Sequence, residues 1–199
     1  SYAPETTLST FSQMAGLTSH NFLSAAAGIA MAAALTRAFA ADRGEGLGNF
    51  WADLTRISLY VLLPLSIVIA LTFVFLGEPQ TLAAHATATT LEGVKQTISL
   101  YPTASQEAIK QLGTNGGGFF NVNSSHPFEN PTPLSNFLEL LAILVIPAAL
   151  CYTFGAMVGD TRQGWIVLAA MTVIFVGLLA VAVVAEQNGH TLVKQGVDH

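Results

Sequence analysis

Six small residues, Gly113-Thr114-Asn115-Gly116-Gly117-Gly118, followed at once by Phe119-Phe120, carry the most chemistry per position in this sequence. Three consecutive glycines place no side chain over the main chain and reach φ/ψ values closed to other residues. Their backbone oxygens and amides are free to turn toward a ligand. A phosphate loop would need Gly-Lys-Ser/Thr after a strand, and a dinucleotide fingerprint would need G-x-G-x-x-G; neither pattern occurs. Ahead of the glycines, Ser105 to Leu112 (SQEAIKQL) is built of good helix formers, with Ser105 placed to cap. The negative end of such a helix favours positive charge. A short helix, a Thr-Asn-Gly strand and an apolar span after it match a re-entrant pore loop, in which a cation exchanges its water for backbone carbonyls. The alternative is a flexible glycine turn outside a membrane.

A second, degenerate copy opens the chain. Leu8 to Ala15 (LSTFSQMA) is followed by Gly16-Leu17-Thr18-Ser19-His20-Asn21 and then by an Ala-rich apolar run. The order is again short helix, break, span. Repeats around a midplane site are a common plan of transport proteins. A closed filter takes about four such loops, and this chain supplies two.

The elements that must hold these loops follow from composition. Of 199 residues, 52% are hydrophobic and only 10% are charged. A soluble domain carries roughly 25% charged residues, so an ordinary soluble enzyme is excluded. Disorder fails on the same count, and seven scattered Lys and Arg, with a net charge of -5, make no basic patch for nucleic acid. The single cysteine, Cys151, rules out an intrachain disulfide and a cysteine-rich metal cluster. Crossing a bilayer takes about 20 apolar residues. Ile57 to Gly77, Leu140 to Gly159 and Gly164 to Ala185 contain no charge, and Asn21 to Ala41 contains only Arg37. The fold class expected is an all-α polytopic membrane protein built of channel-like repeats: span, re-entrant pore helix, filter loop, span. Pro64 and Pro147 lie inside spans and predict kinks, because neighbouring helices can satisfy the freed carbonyls.

Arg37, Arg43, Arg56 and Arg162 gather beside two short connections, which the positive-inside rule places in the cytoplasm. Residues 1–41 then read as the second half of one pore repeat, and 42–56 as a cytoplasmic loop. A complete repeat follows over 57–158: a span at 57–77, an extracellular region at 78–103, a pore helix at 105–112, a filter at 113–118 and a span at 134–158. A cytoplasmic loop at 159–163, the first span of a third repeat at 164–185 and an extracellular tail at 186–199 complete the reading.

The run Leu112 to Leu150 (LGTNGGGFFNVNSSHPFENPTPLSNFLELLAILVIPAAL), together with QMAGLTSHNFLSAAAGIA near the start and GDTRQGW after the third span, closely resembles the potassium-binding A subunit of Kdp-type potassium-importing P-type ATPases. The resemblance covers the whole chain, which looks like an internal third of that subunit. It implies a potassium-channel-related fold with four pore-loop repeats around one filter. It also implies K+ as the transported ion, membrane lipid around the chain, a multi-pass location in the bacterial plasma membrane, and assembly with a P-type ATPase catalytic subunit and small accessory membrane subunits. Carried onto this sequence, one filter strand is Thr114, Asn115 and Gly116, supported by Gly113, Gly117 and Gly118, and another is Leu17, Thr18, Ser19 and His20. Ser19-His20 departs from the Val-Gln that one form of the family has before Asn-Phe; a histidine near the filter mouth would change ion affinity or make it pH-sensitive, and the alternative is a neutral imidazole hydrogen-bonded behind the filter. Nothing resembles an aspartate-phosphorylation motif or a nucleotide site, so no nucleotide is expected on this chain. The rival readings are a non-transporting membrane scaffold subunit and a related potassium channel or symporter.

Among the remaining residues, Glu139 lies one to two turns into a span and is either a functional intramembrane carboxylate or a headgroup-level charge. Arg37 reads as a snorkelling charge at a helix end. His126-Pro127-Phe128-Glu129-Asn130-Pro131 reads as a rigid cap above the filter, with Glu129 as scaffolding or as an attractor of cations. His85, His126, His190 and His199 lack metal-ligand spacing and read as ordinary loop residues.

Overall fold

The computed structural model describes residues 4–41, 46–83, 85–120 and 123–187. Within them, four helices are long and apolar enough to cross a membrane: Ser12–Ala40, Phe50–Leu76, Pro133–Met157 and Thr161–Gln187. The chain divides into two compact units, residues 1–149 and 150–199.

A short helix α1 (Pro4–Thr7) precedes a π-helical segment, Ser12–Thr18, that runs directly into α2 (Ser19–Ala40). The break expected at residues 16–21 is absent. Thr18 and Ser19 both have right-handed helical dihedrals, and the Ser19 N–H bonds the Gly16 carbonyl. One glycine among Met14, Ala15 and Leu17 costs a helix only about 1 kcal/mol, and the wider π turn absorbs it without interrupting the chain of hydrogen bonds.

The next span starts earlier than its apolar run, because the Asn49 side chain accepts from the Ala52 N–H at 3.1 Å and caps α3 (Phe50–Arg56). α3 continues through a π-helical stretch, Ile57–Leu62, into α4 (Leu63–Leu76). The Leu63 N–H reaches back to the Ser58 carbonyl. Pro64, which has no N–H to give, follows immediately, so the distortion expected of this proline takes the form of π turns ahead of it. Gly77, at φ +106, ends α4 in a left-handed cap.

Residues 78–103 are not featureless. β1 (His85–Thr89) pairs antiparallel with β2 (Lys95–Ser99), Thr87 opposite Thr97, and the Thr90 side chain accepts the Val94 N–H at the turn. Then comes α5 (Thr103–Leu112), which is short yet almost wholly buried. Its Ala104 and Ala108 lie against Phe73 of α4, with Leu138 of α6 (Pro133–Met157) beside them. Ile109 packs with Ala26 of α2 and Leu62. A helix of this length has little stability of its own in water; here α2, α4 and α6 enclose it.

In the second unit, Gly155 near the end of α6 meets Gly164 near the start of α7 (Thr161–Gln187). A Cβ on Gly155 would fall 2.8 Å from the Gly164 nitrogen, and one on Gly164 would fall 2.5 Å from the Cys151 carbonyl. Small residues at a helix contact let backbones approach this closely. Along the rest of α7 the side chains are exposed, as suits a lipid-facing helix.

Candidate functional site

At the C-terminus of α5 the chain makes a Schellman turn. The Thr114 N–H bonds the Gln111 carbonyl and the Asn115 N–H the Lys110 carbonyl, each at 3.1 Å. The residue that must turn left-handed in this motif is usually glycine. Here it is Thr114, at φ +53. A β-branched residue in that region is an outlier costing roughly 1–2 kcal/mol. Beyond Asn115, Gly116 (φ +65), Gly117 (φ +80) and Gly118 (φ +148) return to positive φ, a backbone that side chains disfavour. Among the described residues, no donor is hydrogen-bonded to the carbonyl oxygens of Gly113 through Gly118. Thr114, Gly116 and Gly117 are exposed.

The loop is anchored on both sides. Asn115 turns its side chain back to α2 and donates to Ser24 Oγ. The Gly117 N–H donates to Asn123 Oδ1 at 3.2 Å. Phe119 stacks on Tyr101, which precedes α5, with centroids 5.0 Å apart and planes 8° from parallel, so the start of the helix and the end of the loop share one aromatic contact. Phe120 stacks on His126 at 3.8 Å. His126 Nδ1 accepts the Phe128 N–H at 3.1 Å, and burial holds its pKa below the usual value, so this ring is a neutral packing element rather than an open loop residue.

Beneath the loop, the third face of α5 carries Glu107, Lys110 and Gln111, all buried. The Lys110 ammonium pairs with Glu107 and lies 3.6 Å from Glu129 Oε1. Glu129 is fully buried and takes the Ser124 N–H at 3.0 Å and the Phe120 N–H at 3.4 Å. Ser124 donates its hydroxyl to Glu107 at 2.7 Å. The Gln111 amide nitrogen, with two hydrogens to give, lies within hydrogen-bond distance of Glu107, of Ser124 Oγ at 2.7 Å and of Glu139 Oε2 of α6 at 3.0 Å. A cavity of about 410 Å³ borders Thr114, Gly116, Ser124, Asn136 and Glu139.

The whole chain, residues 1–199, matches the family model of the potassium-transporting ATPase A subunit. The chain belongs to that family. Proteins named "Potassium-transporting ATPase potassium-binding subunit" are similar throughout: 69% identical in Beijerinckia indica, over 90% of this chain and 32% of the relative, and 62% identical in Enterobacter sp. (strain 638), over 100% and 36%. A third, from Methylorubrum extorquens, is 62% identical over 96% of this chain and 33% of its own length. The chain thus spans about a third of the length of these relatives. Family and helices together make it part of a membrane protein.

In this family member, the structure gathers Gly113, Thr114, Asn115, Gly116, Gly117 and Gly118 into one loop, largely at positive φ, at the end of a buried helix. It does not give Leu17, Thr18, Ser19 and His20 the extended form expected of a filter strand; they are helical, with their backbone engaged along the helix. Glu139 is 3% exposed and faces Gln111 of α5 rather than standing free at the edge of the span. Glu129 points inward rather than into a vestibule. Arg37 is paired with Asp53 of α3 and donates to the Leu47 carbonyl at 3.2 Å, closing the connection between two spans rather than only reaching for water.

Glu78 has no signal in the sequence. It follows the Gly77 cap, is 3% exposed, and has no hydrogen-bond partner for either side-chain oxygen among the described residues. Burial first, then the charges of Glu107, Glu139 and Glu129, push its pKa up to about 9, so it is protonated at neutral pH. A glutamate after a span looks like an ordinary interfacial charge; only the tertiary structure brings it in beside three others.

Proposed function

We propose that this chain is part of the potassium-binding and translocating subunit of an ATP-driven, high-affinity potassium importer in the bacterial plasma membrane. In this reading K+ is selected on the outer side by the loop of Thr114, Asn115 and Gly116, with Gly113, Gly117 and Gly118 shaping it. The observation that carries the reading is the row of six carbonyls, Gly113 to Gly118, that no described donor occupies, at the negative end of the buried helix α5. A cation can exchange its hydration shell for such oxygens, and the helix end adds favourable partial charge. Strain at Thr114 keeps the backbone turned, which fits a site that must be preorganised. Leu17 to His20 are left out of this filter because a helix already uses their backbone groups.

ATP hydrolysis belongs, on this reading, to a P-type ATPase catalytic subunit, with small accessory membrane subunits completing the complex. The relatives' printed name supports potassium and a complex of this kind. The test is Gly116→Ser in the full-length subunit within its assembled transporter. At φ +65 any side chain is strained, although only Asn123 lies near the new Cβ, at 3.5 Å. Half-maximal K+ concentration for transport and ATPase activity should rise by roughly tenfold or more, for a strain of about 1–3 kcal/mol. Unchanged affinity together with unchanged preference for K+ over Na+ would remove the filter assignment.

A further inference from the structure

We infer that Ser24 of α2 is a positioning residue for the ion filter, and that through the side chain of Asn115 it fixes the direction in which residues 114–116 present their backbone oxygens; this rests on the filter reading above. Of residues 113–118 only Thr114 and Asn115 carry a side chain. Thr114 is exposed, and its hydroxyl has no hydrogen-bond partner among the described residues. Asn115 is therefore the filter residue that the protein grips by its side chain. It stands between two left-handed residues, Thr114 at φ +53 and Gly116 at φ +65, without sharing their positive φ, so the chain reverses its turn on either side of it. The Asn115 side-chain nitrogen donates to Ser24 Oγ. The Ser24 hydroxyl itself donates back along α2 to the Asn21 carbonyl at 3.4 Å, which leaves its lone pairs for the amide. The other end of that amide, Asn115 Oδ1, is buried and has no partner among the described residues. Ser24 is thus the polar contact that orients it.

The next position of α2 closes the space behind the loop. A Cβ on Gly113 would fall 3.1 Å from the Ala25 Cβ and 2.3 Å from Asn115 Oδ1, so the first loop residue lies directly against the helix. The Asn115 N–H is bonded meanwhile to the Lys110 carbonyl at 3.1 Å. With its main chain tied to α5 and its side chain to α2, Asn115 has little freedom to swing. The helix that already uses the backbone of Leu17 to His20 thereby serves the other filter strand, from about one turn further on. The hydroxyl is not needed to hold the fold. α5 is enclosed by apolar contacts, Ala104 and Ala108 with Phe73, and Ile109 with Ala26 and Leu62, and Ser24 takes part in none of them. Its loss should leave α2 and α5 packed while the Asn115 amide turns freely, so that the oxygens of residues 114–116 no longer share one direction. Selection by carbonyls depends on how many of them reach the ion together. Weaker K+ binding and a smaller preference for K+ over Na+ follow, with turnover at saturating K+ retained.

The experiment uses the full-length subunit in its assembled, reconstituted transporter and measures half-maximal K+ for transport, the rate at saturating K+ and the competition by Na+. Ser24→Ala should raise half-maximal K+ about fivefold, the equivalent of one hydrogen bond, and narrow the K+ over Na+ preference. The saturated rate and the melting temperature should stay as they were. Ser24→Thr, which keeps the hydroxyl, should behave as the wild type. In an Asn115→Ala background, Ser24→Ala should have no further effect, because the two side chains act as one unit. Thr72→Ala on α4, which removes a hydroxyl bonded to its own helix at the Val68 carbonyl, is the control and should change nothing. A Ser24→Ala transporter with wild-type affinity and preference overturns the inference. So does a Ser24→Ala subunit that fails to assemble, since its role is then structural, or a loss that persists in full beside Asn115→Ala. If Gly116→Ser weakens K+ binding while Ser24→Ala does not, the filter stands and the positioning role falls. If Gly116→Ser is silent too, the filter reading itself falls.

Discussion

Two glycine-bearing segments with the same order of short helix, glycine and span end in opposite backbones. From Ser12 to Thr18 the chain is π-helical and continues unbroken into α2, and a Cβ on Gly16 would meet nothing within 4 Å. From Gly113 to Gly118 the chain leaves the helix through a left-handed Thr114 and, after Asn115, turns to positive φ again over three glycines. Glycine density is one difference. The larger one is what surrounds each segment. Asn115, Gly117, Phe120 and Ser124 are all tied to other side chains, from Ser24, Asn123 and Glu129, so the irregular backbone is held in place from several directions. Among the described residues, no comparable set from elsewhere in the chain is bonded to residues 16–20; the Thr18 hydroxyl reaches only Gln13 and Met14, one turn back. An irregular loop in a membrane protein needs protein groups to claim its amides, and only the second segment has them.

Removing the clamp is the harshest way to test that account. Lys110→Met leaves Glu107 and Glu129 without their cation in a buried site, a loss of about 3–5 kcal/mol. The assembled transporter should lose thermal stability and K+-dependent activity together, and a normal melting transition would mean that the carboxylates do not depend on Lys110. Gly118→Ala is milder. Its Cβ would press on Glu129 Oε1 at 2.5 Å and sit at φ +148, at a cost of about 1–3 kcal/mol. Half-maximal K+ should rise by roughly tenfold or more, while assembly, followed by gel filtration, persists. A Gly118→Ala transporter with unaltered affinity would show that the clamp is remote from the ion.

How much of this the sequence can show depends on range. The spans are legible because their signal is local: uncharged runs such as Ile57 to Gly77 exceed what a soluble helix carries. The glycine loop is legible for the same reason, and so is the short helix before it. The hairpin of Thr87 and Thr97 is not, although Ala and Thr alternate there, because no apolar face marks it as a strand. The clamp is invisible in a deeper sense. Glu107, Lys110, Glu129 and Glu139 come from a helix, a loop and a span; the sequence singles out Glu139 and Glu129 one by one, but nothing local says that the four meet, and burial arises only when α2, α4 and α6 close around α5. The left-handed backbone of Thr114 has no sequence signal either, since glycine is the usual occupant of that position. At residues 16–20 the pattern misleads: helix propensity on both sides of one glycine carries the helix through.

The smallest expected effect decides most about that last point. In a helix, Gly16→Ala adds no contact and removes chain freedom from the unfolded state, so it should stabilise by about 0.5–1 kcal/mol and leave K+ affinity as it was. In a filter loop of the second kind the same methyl group would meet a backbone that must turn to positive φ, as Gly116 and Gly117 do, and affinity would weaken instead. The sign of the change therefore separates the two backbones. Measured in the full-length subunit beside Gly118→Ala, a raised melting temperature with unchanged half-maximal K+ establishes that the two segments differ in the complete transporter as they do in this chain. Weakened K+ binding would show that Leu17 to His20 unwind there and join the ion's path, leaving the set of side-chain ties around residues 113–124, rather than the glycine pattern, as the one real difference between them.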